Sequence, residues 1–496
     1  MDQDKARRIL NLKVIASEIV MVVAVILTVL VLVLIVSGYW LNSDFKVERQ
    51  GLLQVSSIPT GADVDIDGDS SWFQRTNTSK TLSSGEHTVT LSKEDYDTWS
   101  KTITIREGLL YRLHYPRLFL KEREVEKAAD ASGATFATVS PDRNTLLVVN
   151  STYDWVVMPL NTEKISPQKV DVRSLFLTSD NAEAAEEKDA VFSGVIESAD
   201  WANDNAHILL KVKNGDRIEW AILDIDNAKD SINLSRRFDM NFDKIKIMNN
   251  SANSLLALQG QSLRRIDVAS GQISVVLVDG VMSLDHYDNE VIYVAKRVDP
   301  GDSSDGSNEK AEANKSDNED GVSEEESLPY ALFSLEVGSG KSEELIGLKE
   351  PAQAVISRFY DDKYIATMNG SSVALYQKND MKKLEEYTLT FNPEKIKVGH
   401  DGEFFIFSNG LNLATLDMEA LAVCEWQIGS SPYGWLDNDM LYDVTDGDLV
   451  VYDFDGLNKR SIAKKVASNY PVTISEEKWL YYFSDGSLMR EWLIKR

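Results

Sequence analysis

Residues 404–417 read FFIFSNGLNLATLD and contain the pattern that decides the fold. Two apolar segments, Phe404 to Phe407 and Leu413 to Asp417, flank the dipeptide Asn409-Gly410. Asn-Gly between two apolar segments is a strong hairpin signal because both residues tolerate positive φ. The stretch therefore predicts two adjacent antiparallel strands.

The same pattern recurs through the second part of the chain. Hairpin glycines stand at positions 370, 410, 447 and 486, which are 37 to 40 residues apart. Further copies, some less regular, lie at 140–160, 208–224, 255–267, 291–337, 365–376, 440–453 and 479–492. Units of about 40 residues are typical of four-stranded blades arranged radially. The sequence predicts a mainly β chain whose residues 116–496 form a propeller of seven or eight blades, with eight preferred.

The last repeat lacks one strand. It ends at Arg496 after three strands, while Arg123 to Ala129 resembles Arg460 to Val466, the outer-strand position of the preceding repeat. We therefore expect residues 124–129 to complete the last blade and to leave no open sheet edge. Ser140-Pro141-Asp142 before an apolar strand resembles TolB-like propeller repeats, and this resemblance implies the fold rather than a function.

Residues 51–115 show short alternating strands separated by turns and predict a small all-β domain. The stretch resembles the PEGA domain, a β module of prokaryotic envelope proteins, through the segments 55–59, 61–62 and 64–68 and the residues Leu82, Gly85, His87, Val89 and Tyr96. Thr60 replaces the name-giving glutamate, and Asp95 replaces the glycine before the aromatic residue. The resemblance implies a spacer or adhesion-like module without catalytic residues.

Ile19 to Val36 is an uninterrupted uncharged segment near the N-terminus. Extended to Leu41 it would make a helix of about 34 Å, enough to cross a hydrocarbon layer of about 30 Å. Four basic residues precede it and two follow it, namely Lys5, Arg7, Arg8, Lys13, Lys46 and Arg49. The positive-inside rule then predicts a cytoplasmic stub at 1–18, a transmembrane helix at 19–41, a linker at 42–50 and an extracytoplasmic body at the plasma membrane. A cleaved signal peptide, with a weak site at 36–38, is the alternative.

The chain is strongly acidic, with 79 acidic and 52 basic residues and a net charge of -27. Such a balance argues against nucleic acid as a partner, because phosphate binding needs a basic surface. Residues 301–327 contain ten acidic residues and two lysines, which predicts a disordered insertion. A second acidic segment lies at 180–189. Both segments can serve solubility, or they can form a surface for a cationic partner.

Several motifs imitate known sites without completing them. Gly338 to Ser342 resembles the end of a phosphate-binding loop, but Leu335 replaces the required glycine, so a hairpin turn is predicted. Asp63, Asp65 and Asp67 imitate the start of a calcium loop whose twelfth position would be Gln74, so a strand is predicted. The histidines show no ligand spacing, at His87, His114, His207, His286 and His400. Cys424 is expected to be a buried, inert thiol.

No catalytic, cofactor-binding or metal-binding residues are predicted, and no cofactor is implied. We therefore expect a membrane-anchored extracytoplasmic binding or scaffolding protein of a prokaryotic cell envelope, not an enzyme. Its partner would be a protein or a cell-wall component bound by a propeller face. The alternative is an envelope enzyme with its site in the propeller funnel. The sequence leaves the oligomeric state open.

Overall fold

A computed structural model of the chain describes residues 3–36, 39–41, 47–69, 75–177, 191–248, 252–297, 328–399, 401–429 and 433–495. They belong to two compact units. The first unit comprises Met1–Arg123 with Ile494–Arg496, and the second comprises Glu124–Leu493. The predicted insertion at 301–327 lies outside the described residues.

The first unit begins with one long helix, α1, over Gln3–Val36. Its described side chains, at positions 17–33, are exposed. Within the described part of the chain, no helix is both long and apolar enough to cross a membrane. The helix also ends earlier than position 41, because Tyr39–Leu41 is a short strand that pairs with Val47–Arg49. Aromatic residues favour strands, which accounts for the difference.

Two three-stranded sheets follow in the first unit. One sheet has the order Thr78–Leu82, Gly51–Val55, Leu110–Leu113, and the other has the order Asp63–Ile66, Gly85–Ser92, Trp99–Ile105. Alternate residues of each strand enter the core, as Leu53 and Val55 do on the central strand. Trp99 is fully buried and supplies the largest core side chain. The small all-β domain predicted for residues 51–115 is therefore present.

The described part of the second unit contains eight four-stranded antiparallel sheets. The first four are Ala134–Val139, Thr145–Asn150, Asp154–Pro159, Gln168–Asp171; Val195–Trp201, His207–Asn214, Arg217–Asp224, Ile232–Asn233; Lys244–Met248, Ser254–Gln259, Ser262–Asp267, Gln272–Ile273; and Val281–Tyr287, Glu290–Lys296, Tyr330–Glu336, Lys341–Leu348. Short helices α2, Arg173–Phe176, and α3, Leu234–Phe238, and a 3₁₀ turn, Ala228–Asp230, accompany the first two sheets.

The remaining four sheets follow the same order along the chain. They are Gln353–Phe359, Asp362–Asn369, Ser372–Gln377, Lys382–Thr388; Lys395–Val398, Phe404–Ser408, Asn412–Asp417, Ala422–Gln427; Tyr433–Trp435, Met440–Thr445, Asp448–Asp453, Arg460–Ala463; and Thr473–Ser475, Trp479–Ser484, Ser487–Trp492, Val125–Asp130. Eight is the higher of the two blade numbers that the sequence allowed.

The central hairpins form at the predicted dipeptides, but only the Asp-Gly turns have positive φ at both residues. At Asn409-Gly410 the glycine alone has positive φ, of 97°. Asp485 and Gly486 have φ of 47° and 70°, and Asp446 and Gly447 have φ of 53° and 81°. Two consecutive positive φ values match the right-handed twist of the flanking strands, and Asp-Gly adopts them at low cost.

The second strand of each sheet is apolar on both faces because it packs against two neighbouring sheets. Ile208 of the second sheet joins a core cluster with the first sheet, while the next residue, Leu209, joins one with the third sheet. Likewise Ile365 packs toward the fourth sheet and Ala366 toward the sixth. Burial on both faces explains why these strands are continuous apolar runs instead of alternating ones.

The eighth sheet packs against the first. Tyr481, Phe483 and Leu488 of the eighth sheet share one core cluster with Leu146 and Val148 of the first. The eighth sheet also contains Val125–Asp130 as its fourth strand, paired with Ser487–Trp492. The repeat comparison predicts an outer strand over 124–129, and the observed strand runs over Val125–Asp130. The sheets are thus arranged like the blades of a propeller.

Cys424 differs from expectation. It lies on Ala422–Gln427, the outermost strand of the sixth sheet, and is half-buried instead of buried. Only one face of an outermost strand packs against apolar neighbours, so an apolar segment there does not ensure burial.

Candidate functional site

The first strands of the sheets converge on the interior of the second unit. The first strands of the fourth, fifth and sixth sheets contact one another in turn. The backbone N–H of Ile356 donates to Asp285 Oδ2 at 3.0 Å, and the N–H of Ala354 donates to Ser283 Oγ at 3.2 Å. We call these first strands the inner strands.

Two inner strands carry the same charged pattern. The third sheet has Lys244-Ile245-Lys246-Ile247, and the sixth has Lys395-Ile396-Lys397-Val398. Successive side chains of a strand point to opposite faces, so the two lysines of each pattern share one face. Ile245, on the other face, is buried against the second sheet.

Four charged residues occupy the same register position on their inner strands. Counted from the turn after each inner strand, the third backbone pair is Asp200 with Leu209, Lys246 with Leu256, Asp285 with Ile292, and Lys397 with Ile406. The same count in the other four sheets gives Thr138, Ser357, Gly434 and Thr473. We call these eight residues the inner ring. Lys244 and Lys395 lie two residues further from the turn.

Asp200 lies close enough to lysines of two other sheets to interact with their charges. Burial raises the pKa of Asp200, while attraction to Lys246, Lys397 and Lys244 opposes this rise. Asp200 belongs to the second sheet and Lys397 to the sixth, so this interaction joins sheets that are not neighbours along the chain. Asp200 is exposed, so solvent reaches this position although protein surrounds it.

The two lysines on each of these inner strands repel each other. Burial lowers the pKa of Lys244, and the charge on Lys246 lowers it further. Burial also lowers the pKa of Lys397, with a further decrease from Lys395. Among the residues that the structure describes, Lys246 is the one of these four lysines that forms an ion pair, and its partner is Asp285. Four ammonium groups thus face two carboxylates.

His286 is the one described histidine on the inner strand Val281–Tyr287. Burial lowers its pKa, and the charge of Lys246 acts in the same direction. Elsewhere, Nδ1 of His87 lies 2.7 Å from Asp67, and Nδ1 of His207 lies 2.8 Å from Asp204. His400 lies outside the described residues.

The segment that imitates a phosphate-binding loop is a hairpin turn, as predicted. It connects Tyr330–Glu336 with the strand Lys341–Leu348. Gly340 has φ of 72°, and its N–H donates to the carbonyl oxygen of Glu336 at 2.8 Å. Its two glycines therefore serve the turn between two strands.

The segment that imitates a calcium loop is a strand and a turn, also as predicted. Val64 and Ile66 are buried, whereas Asp63 is exposed. Asp65 accepts the N–H of Gly68 at 2.9 Å, and Asp67 accepts the N–H of Thr88 at 2.8 Å. These carboxylates are used within the protein. Gln74 lies outside the described residues.

Comparison with known proteins identifies the first unit's β module. Residues 50–117 match the PEGA domain, in agreement with the resemblance found over 51–115. The match covers the small β domain and none of the eight sheets. No curated protein matches the chain.

Several solved structures are distantly similar to this chain. An oligogalacturonate lyase in complex with manganese is 12% identical, with a TM-score of 0.38, and covers 60% of this chain and 88% of its own. An oligogalacturonate lyase from Vibrio parahaemolyticus is 9% identical, with the same coverage and a TM-score of 0.38. The computationally designed Ika8 protein is 11% identical, with a TM-score of 0.40, and covers 74% and 98%. Likeness at this level carries no argument about function.

The inner ring was missed by reasoning from sequence. The Lys-Ile-Lys patterns at 244–246 and 395–397 were visible as alternating segments. What the sequence does not give is that the third and sixth sheets face one interior. The arrangement can hold an anion between ammonium groups, with Asp200 beside them as a hydrogen-bonding group.

Proposed function

We propose that this chain is a membrane-tethered extracytoplasmic binding protein of a prokaryotic cell envelope. Its eight sheets form a closed propeller that binds a protein or cell-wall partner, and the PEGA domain acts as the spacer. The observation that carries the proposal is the inner ring, because charged side chains from four sheets converge on one solvent-accessible interior. Binding sites favour such concave, pre-formed positions.

The tether is supported by the first helix. Large apolar residues along α1 are exposed in the isolated chain, including Val20 at 68% and Ile26 at 60%. Soluble surfaces rarely carry so continuous an apolar region, and a lipid environment would cover it. The excess of basic residues before position 19 supports a cytoplasmic N-terminus.

Closure is supported by packing and by pairing. The shared core of the first and eighth sheets supports a ring, as does the pairing of Val125–Asp130 with the last sheet. A closed ring holds the inner strands rigidly, and rigid positions for polar side chains are what a specific site needs.

An enzyme is the second candidate. Its support is the raised pKa of Asp200 beside lysines whose pKa values are lowered, since perturbed groups concentrate at functional sites. Binding is preferred because the same shifts follow from enclosing like charges. Release of the ligand in chemically unchanged form would favour binding, and release of a chemically modified ligand would favour catalysis.

The tether and the partner can be tested together in the source envelope. Membranes are prepared from cells with the full chain and from cells whose chain lacks residues 19–36. We expect only the full chain to stay with membranes after a high-salt wash, and external protease to digest its propeller in spheroplasts. Protection of the propeller until the membrane is broken would overturn the proposed topology.

Partner binding is tested with full chain immobilised in nonionic detergent. Envelope extract is applied to the native chain, to Lys244→Gln with Lys397→Gln, and to Lys341→Gln as matched control. Lys341 lies on the outermost strand of the fourth sheet. The proposal expects one defined partner on the native and control chains. Retention of nothing beyond the background of an empty resin would overturn it.

A further inference from the structure

We infer that the inner ring, together with Lys244 and Lys395, binds a multivalent oxyanion, a ligand whose phosphate or carboxylate groups bridge the third and sixth sheets. This inference rests on the proposed function, because it names the chemical class of ligand for the same interior. The inference is based on the positions of the four lysines and on the contacts that the two nearby carboxylates make.

The local charge is opposite to that of the whole chain. The chain has a net charge of -27, whereas this interior has four lysines against Asp200 and Asp285. A small positive region surrounded by low-dielectric walls concentrates field lines and attracts anions. The acidic exterior repels anions in general, so an anion that binds here must gain from this particular set of groups.

The two carboxylates offset the charge of these lysines only in part. Asp285 is occupied by its ion pair with Lys246 and by the N–H of Ile356. Neither Lys244, Lys395 nor Lys397 forms a salt bridge with any residue that the structure describes. Lys244, Lys395 and Lys397 are exposed. Like charges held close together cost stability, and an anion bound between them would reduce that cost.

The geometry favours more than one anionic group. Within each pair the lysines are two residues apart on a strand, which places their Cα atoms about 6.6 Å apart on one face. The pairs belong to the third and sixth sheets of eight and thus lie on different sides of the interior. A ligand with two oxyanion groups can contact both sides at once. Lysine suits this role because its ammonium is a flexible point charge that binds phosphate and carboxylate.

The test uses the full chain in nonionic detergent, with inorganic pyrophosphate and citrate as probes in titration calorimetry. We expect at least one probe to bind, and its affinity to fall as the salt concentration rises, because the attraction is between ammonium groups and an anion. Each of Lys244→Gln and Lys397→Gln should weaken binding about tenfold, the loss of one charge-assisted hydrogen bond. Lys341→Gln should bind like the native chain.

Three outcomes would overturn the inference: neither probe binds, both lysine variants bind like the native chain, or binding is weakened equally by Lys341→Gln. Thermal melting of each variant without probe confirms folding. Removal of one of several like charges should leave the melting temperature unchanged or slightly higher. A variant that melts much lower is replaced by Lys→Met at the same position, which keeps the length of the side chain.

The source of the anion is distinguished by comparing pyrophosphate with long-chain polyphosphate at equal phosphate concentration. Tighter binding of the polymer per phosphate indicates an envelope polymer, and equal binding indicates a small free molecule. Loss of the proposed function has a different signature. A chain that binds pyrophosphate but is not retained by membranes and captures no partner refutes the function only. A chain that is tethered and captures a partner independently of Lys244 and Lys397 refutes the inference only.

Discussion

The guanidinium of Arg490 donates through Nε to Glu126 Oε1 at 2.7 Å, and so joins the third strand of the eighth sheet to its fourth. Arg490 also donates to the carbonyl oxygens of Thr162, at 3.0 Å, and Glu163, at 2.7 Å. These carbonyls follow the third strand of the first sheet. One nearly buried side chain thus connects the first sheet, the last sheet and the strand that completes it.

Replacing Arg490 should therefore weaken the contacts that join the eighth sheet to the first. Arg490→Met leaves two carbonyl oxygens and Glu126 without their charged donor, and we expect a loss of about 3 kcal/mol in the free energy of unfolding. Glu126→Gln should cost about 1 kcal/mol, because Glu126 is 44% exposed and water can replace part of the contact. Denaturant unfolding followed by tryptophan fluorescence measures both.

The matched control is Lys127→Gln on the same strand. Lys127 and Asp130 are 3.0 Å apart, but their side chains are 53% and 67% exposed. Exposed pairs contribute little, so the change should stay within about 0.5 kcal/mol. An effect of Arg490→Met no larger than that of Lys127→Gln would show that the contact between the first and eighth sheets does not depend on the Arg490 side chain.

Removing the closing strand should have a larger effect than removing one contact. A chain that starts at residue 133 lacks Val125–Asp130 and exposes the edge of Ser487–Trp492. Open edges pair with other chains, so we expect aggregation on size exclusion, whereas a chain that starts at residue 116 should elute as a soluble species. Equal elution and melting of the two would contradict the role given to this strand.

The two glycines of the 338–342 turn should respond differently to alanine. Gly340 has φ of 72°, in the left-handed region, whereas Gly338 does not, and neither has a neighbouring atom within 4 Å of an added Cβ. Gly340→Ala should cost about 1 kcal/mol because of backbone strain alone. Gly338→Ala is the control and should be neutral by thermal melting. Equal effects would mean that backbone conformation is not what selects these glycines.

Asp200→Asn should stabilise the chain at pH 7. Because burial raises the pKa of Asp200 above its ordinary value of 3.8, ionisation opposes folding. The stability contributed by the protonated group is complete below that ordinary value and is lost as pH rises through the raised pKa. The melting temperature of Asp200→Asn should exceed that of the native chain at pH 7, and the difference should shrink toward pH 4.

The control for this pH series is Asp361→Asn, because the Asp361 side chain is fully exposed and its pair with Arg358 is at the surface. That variant should follow the native chain at every pH. A native chain that gains stability relative to Asp200→Asn as pH rises would reverse the sign and refute the effect of burial.

The acidic insertion should be dispensable for folding. Lys296 pairs with Tyr330, and the N–H of Arg297 donates to the carbonyl oxygen of Pro329 at 2.9 Å, so the two strand ends are adjacent. Replacing residues 301–327 by a short Gly-Ser linker should leave the melting temperature almost unchanged, because so charged a segment buries little apolar surface. A large decrease would show that the insertion packs against the body.

Much of the fold can be predicted from short sequence patterns. Asp485-Gly486 and Asn409-Gly410 predict hairpins, and the spacing of such dipeptides indicates the number of sheets. The end of the first helix and the exposure of Cys424 were wrong because both depend on neighbours. Tyr39 pairs with Arg49, and Cys424 lies on an outermost strand.

The candidate site is harder to predict from the sequence, and the reason is physical. Alternation places Lys244 and Lys246 on one face, but it does not say what that face meets. The interaction of Asp200 with Lys397 depends on two sheets that are far apart in sequence. Their attraction is a property of the assembled ring, and no local pattern in either strand records it.

The pairing of Val125–Asp130 with Ser487–Trp492 also sets the order of events during synthesis. The first strand of the second unit leaves the ribosome long before its partner, so it must wait unpaired while seven sheets are made. Contacts so distant in sequence form slowly, and unpaired strands aggregate in the interval. The waiting strand carries Glu126, Lys127 and Asp130, charges of the kind that keep exposed strands from pairing with the wrong chain. Its polarity is thus as much a safeguard for the nascent chain as a feature of the finished one.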